Sequence, residues 1–142
     1  MNATPLVGAV IHRREGTIMI VRDLSAVKTV EWGNGVSRRF LLEADGLGYT
    51  VTDTIVRAGT SSRMEYKRHL EACYCIAGRG EVIDAGGKTH AIEPGTLYAL
   101  DRNEPHSLIA SRDEDLRLVC VFSPALTGDE HHDLDSERFS QY

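Results

Sequence analysis

Glu71 stands at the head of an apolar run, Glu71-Ala72-Cys73-Tyr74-Cys75-Ile76-Ala77, that stops at Gly78. A carboxylate in such a strand is costly to bury alone, which calls for a partner such as a metal ion or an arginine. His69, two residues earlier, faces the same side and could act on a substrate or orient Glu71. Tyr98 shares a strand face with Thr96 and Leu100, and His106 opens another apolar run. If these strands close into a small barrel, a carboxylate, a phenol and an imidazole converge inside it, a donor set that can hold a divalent metal. Read singly, Tyr98 is equally a core tyrosine with its hydroxyl hydrogen-bonded, and His106 a structural histidine.

The elements needed to position these residues are short strands. Apolar bursts recur at 17–22, 39–42, 49–57, 72–77, 80–84, 89–92, 96–100, 106–110 and 116–122, separated by glycine and polar turns. Gly78-Arg79-Gly80 and Ala85-Gly86-Gly87 read as hairpin loops, and the charged stretch 112–117 as an exposed hairpin. Helical periodicity is confined to a single turn at 23–28. This spacing predicts an all-β chain, a small barrel or double-sheet jelly roll, with an extension over 1–16 that could add an edge strand, a barrel over 17–128 and a polar tail or lid over 129–142. The tail reads as too charged to supply core, and His131-His132 within it as solvated.

Composition narrows the partners. The 142 residues carry 16 Lys and Arg against 21 Asp and Glu, a net charge of -5, so no basic footprint for nucleic acid or anionic lipid exists. No apolar run approaches the roughly 20 residues that span a bilayer. Cys73, Cys75 and Cys120 are an odd set inside apolar runs. They read as reduced, buried packing residues in a cytoplasmic protein, although Cys73 and Cys75 share the face of Glu71.

Two pieces of the chain resemble the paired motifs of the cupin superfamily. The first is Glu71 through Gly78; the second is Gly95, Asp101, Asn103 and His106 at the intervals of that superfamily's glycine, proline, glycine and histidine. A closer likeness is carried by His69-Leu70-Glu71-Ala72, Gly78-x-Gly80-Glu81-Val82, Pro94 through Asp101, Val119-Cys120-Val121-Phe122 and Leu126-Thr127-Gly128. In order and spacing, from about 17 to about 135, these resemble the ectoine synthase family. The resemblance implies a cupin barrel, a homodimer and a lyase acting on a small molecule. Ferrous iron, or another divalent metal, would be held by Glu71, Tyr98 and His106. It places Arg39, Thr54, Tyr66, His69, Phe122 and Glu130 at the substrate pocket wall with Cys120 nearby, and Glu71, His69 and Tyr98 at the chemistry.

The chain departs from that pattern where many family members have His-Ile-His and this one has Arg63-Met64-Glu65, and where a tryptophan is replaced by Gly35, with Trp32 close by. Residues two apart on a strand share a face, so Arg63 and Glu65 could bracket a zwitterion at the pocket rim. These departures keep two rivals open: a metal or zwitterion-binding module without activity, and an enzyme for a different acylated amino acid.

Overall fold

Alternation of inward and outward side chains is the local rule that builds this protein. In the computed structural model, which describes residues 19–134 and 140–141, it yields eleven strands: β1 (Lys28–Glu31), β2 (Gly35–Leu41), β3 (Thr50–Val56), β4 (Ser61–Glu65), β5 (Leu70–Ala77), β6 (Gly80–Ile83), β7 (Thr89–Ile92), β8 (Leu97–Leu100), β9 (His106–Ala110), β10 (Leu116–Ser123) and β11 (Ser140–Gln141). They form a six-stranded sheet, β1-β2-β3-β10-β5-β8, and a five-stranded sheet, β11-β4-β9-β6-β7. The two inner faces enclose a core of Val56, Cys75, Val82, Ile92, Leu108, Leu116 and Leu118, each at most 5% exposed. The expected all-β double-sheet architecture is what the chain adopts. No helix among the described residues is long and apolar enough to cross a membrane.

Several elements differ from the reading of the sequence. Residues 19–22 form no strand; Arg22 instead donates to the Asp45 carboxylate and the Phe40 carbonyl. The proposed N-terminal edge strand lies outside the described residues. Two polar strands escaped the periodicity reading: β1 is a mostly exposed edge, and β4 turns Ser62 inward beside Met64. Ala85-Gly86-Gly87 does join a hairpin, β6 to β7. Gly78-Arg79-Gly80 and the 112–117 stretch instead carry the chain from one sheet to the other, because β5 pairs with β10 and β8 while β6 and β9 pair with each other. Within 112–117, Arg117 grips Asp53, which also accepts from Arg38.

The tail is the largest departure. Residues 128–134 run back over the barrel mouth, burying His132 to 5% exposure and packing Leu134 on the core, and Ser140 adds a parallel strand to β4. Trp32, close in sequence to the position where a tryptophan is replaced by Gly35, is buried at 4% exposure by a route that regular alternation does not give. It lies in the β1–β2 loop, its N–H donating to the Gly35 carbonyl and its indole Nε1–H to the Ile55 carbonyl. A Cβ at position 35 would sit 1.8 Å from the Ile55 carbonyl oxygen, so glycine is required where the loop folds under the indole.

Candidate metal centre and cavity

Strand register brings the candidate residues into rows. Across the inner face of the larger sheet, Arg39, Thr52, Cys120, Cys73 and Tyr98 are successive direct partners on β2, β3, β10, β5 and β8. The neighbouring row is Thr50, Phe122, Glu71 and Leu100. From the opposite sheet, β4 and β9 place Met64 beside His106. Between the sheets is a small cavity. Its walls include Trp32, Thr54, Tyr66, Glu71, Tyr98, Cys120 and Phe122.

Glu71 and His106 are the two anomalies. Each is almost fully buried, and Glu71 Oε1 and His106 Nε2 lack any hydrogen-bond partner among the described residues. Burial pushes the Glu71 carboxyl up to about 7 and holds the His106 imidazole down to about 4. His106 Nδ1–H donates to the Glu104 carbonyl at 3.4 Å, so the neutral tautomer turns its Nε2 lone pair inward, the form that ligates metals. Native proteins rarely leave such groups unmet, and a cation satisfies a carboxylate and an imidazole lone pair together. Tyr98 lines both the cavity that holds Glu71 and the adjoining hollow lined by His106. Its phenol is raised by burial and then by Cys73 and Glu71 nearby, so it reaches the anionic form only with a cation at hand. The donors fit a metal. A second trio competes for it: Glu71, Cys73 and Cys120 lie within 4.8 Å of one another, with the two thiols in contact at 3.4 Å.

The expected substrate contacts divide. Thr54, Tyr66, Cys120 and Phe122 line the cavity. Arg39 and Glu130 do not: Arg39 donates to the carbonyls of Gly128 and Glu130 at 2.8 and 2.6 Å and lies 3.5 Å from the Glu130 carboxylate. Burial opposes the Glu130 charge, yet the Gly128 and Thr127 backbone N–H donors outweigh it and hold the carboxyl below its usual range. This pair fastens the tail across the barrel. His69 is at the margin, donating from Nδ1 to the Pro124 carbonyl at 2.8 Å with its ring edge-on to Phe122.

His132 was missed. Its Nε2 meets the Tyr66 hydroxyl at 3.1 Å and its Nδ1 the Ser140 hydroxyl at 2.9 Å. The acidic neighbours around it signal solvent, and nothing local signals Tyr66, 66 residues away.

Arg63 and Glu65 do not bracket the pocket. Arg63 is exposed and Glu65 half-buried on the outer face of β4, while Met64 between them lines the cavity. Arg63→His combined with Glu65→His should therefore leave kinetics unchanged and move stability by no more than about 0.5 kcal/mol, the range of exposed sites. Steady-state rates and urea midpoints check this.

The two buried imidazoles set the acid stability of the metal-free protein. Burial holds His106 near 4 and His132 near 3, both below the ordinary 6.5. The unfolded chain therefore takes up protons below pH 6.5 that the native state refuses, and stability falls as pH drops from 6.5 toward 4. Glu71 acts oppositely: native near 7 against an ordinary 4.5, it costs stability as pH rises through that window. Each pKa unit corresponds to about 1.4 kcal/mol, and two groups outweigh one. The urea midpoint of metal-free protein should be lower at pH 5 than at pH 6.5; a higher midpoint at pH 5 would contradict the burial of these histidines.

The family model for ectoine synthase matches residues 19–139. The L-ectoine synthase of Desulfatibacillum aliphaticivorans is 53% identical over 124 residues, spanning 82% of this chain and 94% of that protein. The L-ectoine synthase of Wolinella succinogenes is 47% identical over 125 residues, spanning 87% and 91%. Among solved structures, the ectoine synthase from P. lautus is similar with a TM-score of 0.73 and 46% identity over 78% of this chain and 81% of that one. The polyketide cyclase RemF from Streptomyces resistomycificus, 19% identical with a TM-score of 0.64 over 75% and 80% of the two chains, shares the fold.

Proposed function

The chain belongs to the ectoine synthase family, and from that premise we propose that its cavity cyclises N-γ-acetyl-L-2,4-diaminobutyrate to ectoine with loss of water. The free amine attacks the acetyl carbonyl carbon, a carbon–nitrogen bond forms, and the carbonyl oxygen leaves as water. The observation that carries the proposal is the pair of unpartnered buried atoms, Glu71 Oε1 and His106 Nε2, beside an aromatic cavity.

Glu71, Tyr98 and His106 would hold ferrous iron or another divalent metal. Bound there, it supplies Lewis-acid polarisation of the acetyl carbonyl, a poor electrophile unaided. The remaining work falls to the chain. Trp32, Tyr66 and Phe122 exclude water and hold the substrate folded, with the amine against its own carbonyl. The hydroxyls of Thr54 and Tyr66 offer hydrogen bonds to its polar ends. The nitrogens must give up two protons in all, one as the amine attacks and one as the amidine forms, and the departing oxygen must gain both to leave as water. Glu71 is on the wall and is the group placed for both transfers, with His69 at the margin as the alternative carrier. No nucleophilic residue is needed.

A homodimer belongs to the same proposal. Its support is an outward apolar face on β5, β8 and β10, where Tyr74, Ile76, Leu97 and Val121 are 39–60% exposed. Light scattering should give twice the chain mass. A cytoplasmic location is supported by three free, buried thiols. Proton NMR of iron-loaded protein with N-γ-acetyl-L-2,4-diaminobutyrate tests the function. Ectoine signals should grow at the expense of substrate; bound but unconverted substrate would instead favour a binding module.

A further inference from the structure

Register sets two cysteines face to face inside the larger sheet. Cys73 on β5 and Cys120 on β10 are direct partners across an antiparallel pair, both are buried, and their sulfurs lie 3.4 Å apart. Glu71 is two residues before Cys73 on the same face, and one of its carboxylate oxygens lies within 4.8 Å of both sulfurs. Its Oε1 is buried with no hydrogen-bond partner among the described residues. Cys75 shares the face but is not in the cluster; its thiol donates to the Ala77 carbonyl at 3.3 Å.

We propose that Cys73, Cys120 and Glu71 form a second metal site, one that takes a thiophilic divalent cation such as zinc and shares Glu71 with the centre of Tyr98 and His106. Two sulfurs are soft donors, which suit zinc, whereas one imidazole and two oxygens suit ferrous iron. The spacing fits. Tetrahedral zinc bonds each sulfur at about 2.3 Å and so holds two of them about 3.8 Å apart, a small opening of the observed contact. As the ion binds, the two thiols release their protons to solvent, leaving two thiolates and a carboxylate around the dication. Three donors leave one tetrahedral position for a ligand from the cavity, which all three residues line. His106 enters from β9 of the opposite sheet and belongs to the other set alone. Zinc and iron therefore compete for one carboxylate. That competition, though not the site itself, rests on the metal centre proposed above.

Zinc-edge X-ray absorption tests the site without substrate or turnover, on full-length, reduced protein loaded with one equivalent of zinc. Two sulfur neighbours at about 2.3 Å are expected; a shell of nitrogen and oxygen alone, at about 2.0–2.2 Å, would overturn the site. Cys73→Ala should lower the sulfur count to one and weaken zinc binding at least about tenfold, the low end for even an outer partner of a metal ligand, while iron content stays the same. Zinc affinity unchanged in that variant would also overturn it. Zinc added to iron-loaded wild-type protein should release the iron one for one, and retention of both ions together would overturn the competition. Sulfur-bound zinc in a protein that never holds iron would leave this site standing and strike only the centre at Tyr98 and His106.

Discussion

Replacing Glu71 with methionine should abolish metal binding and lower turnover by about a hundredfold or more, since even outer partners of a metal ligand are commonly worth 10- to 100-fold. The same change should stabilise the metal-free protein. Glu71 Oε1 is buried without a partner, and a thioether of similar length removes a desolvated polar group worth about 1–3 kcal/mol when unmet. Opposite movements of stability and function mark a residue kept for chemistry, not for folding. His106→Ala should lose metal as well, though it opens a cavity and gains no stability. Metal analysis beside urea unfolding separates the cases: a Glu71→Met protein that keeps its metal, or is destabilised, would assign Glu71 to structure.

The second large effect falls on the tail. Arg39 is 2% exposed, and its guanidinium is committed to Gly128, Glu130 and the Ser37 hydroxyl. Arg39→Met leaves the Gly128 and Glu130 carbonyls without their donor, at about 1–3 kcal/mol for each buried group left unmet. The loss should be local before it is global, because this contact fastens 128–134, which carries His132 to the Tyr66 hydroxyl. We expect fast amide exchange in 126–134 in this variant, together with a higher substrate KM, while the strands of the larger sheet stay protected. Exchange unchanged in the tail would show that Arg39 works directly on substrate and not through the tail.

What the sequence disclosed followed from physical range. A strand with apolar alternation, β9, was legible to the residue because burial of every second side chain writes itself locally. β4 was not, since its inward residues are Ser62 and Met64 and its outward ones include Arg63 and Glu65. That same misreading placed Arg63 and Glu65 at the pocket. Glu71 was legible as a group that needs a partner, and the resemblance to a family joined it to Tyr98 and His106. His132 was hidden because its partners come from distant segments. Arg39 and Glu130 were found as a set, but only the register of β2 and the path of the tail show them gripping each other. Trp32 depended on a loop at Gly35 that no periodicity encodes.

The central claim is that Glu71, Tyr98 and His106 hold the metal that polarises the substrate. Anomalous scattering at the iron edge, from crystals grown without oxygen in ferrous iron, tests it most directly. One peak per chain within bonding distance of Glu71, Tyr98 and His106 is the predicted result. A peak bonded instead to the Cys73 and Cys120 sulfurs, or no peak from crystals of active protein, would contradict it.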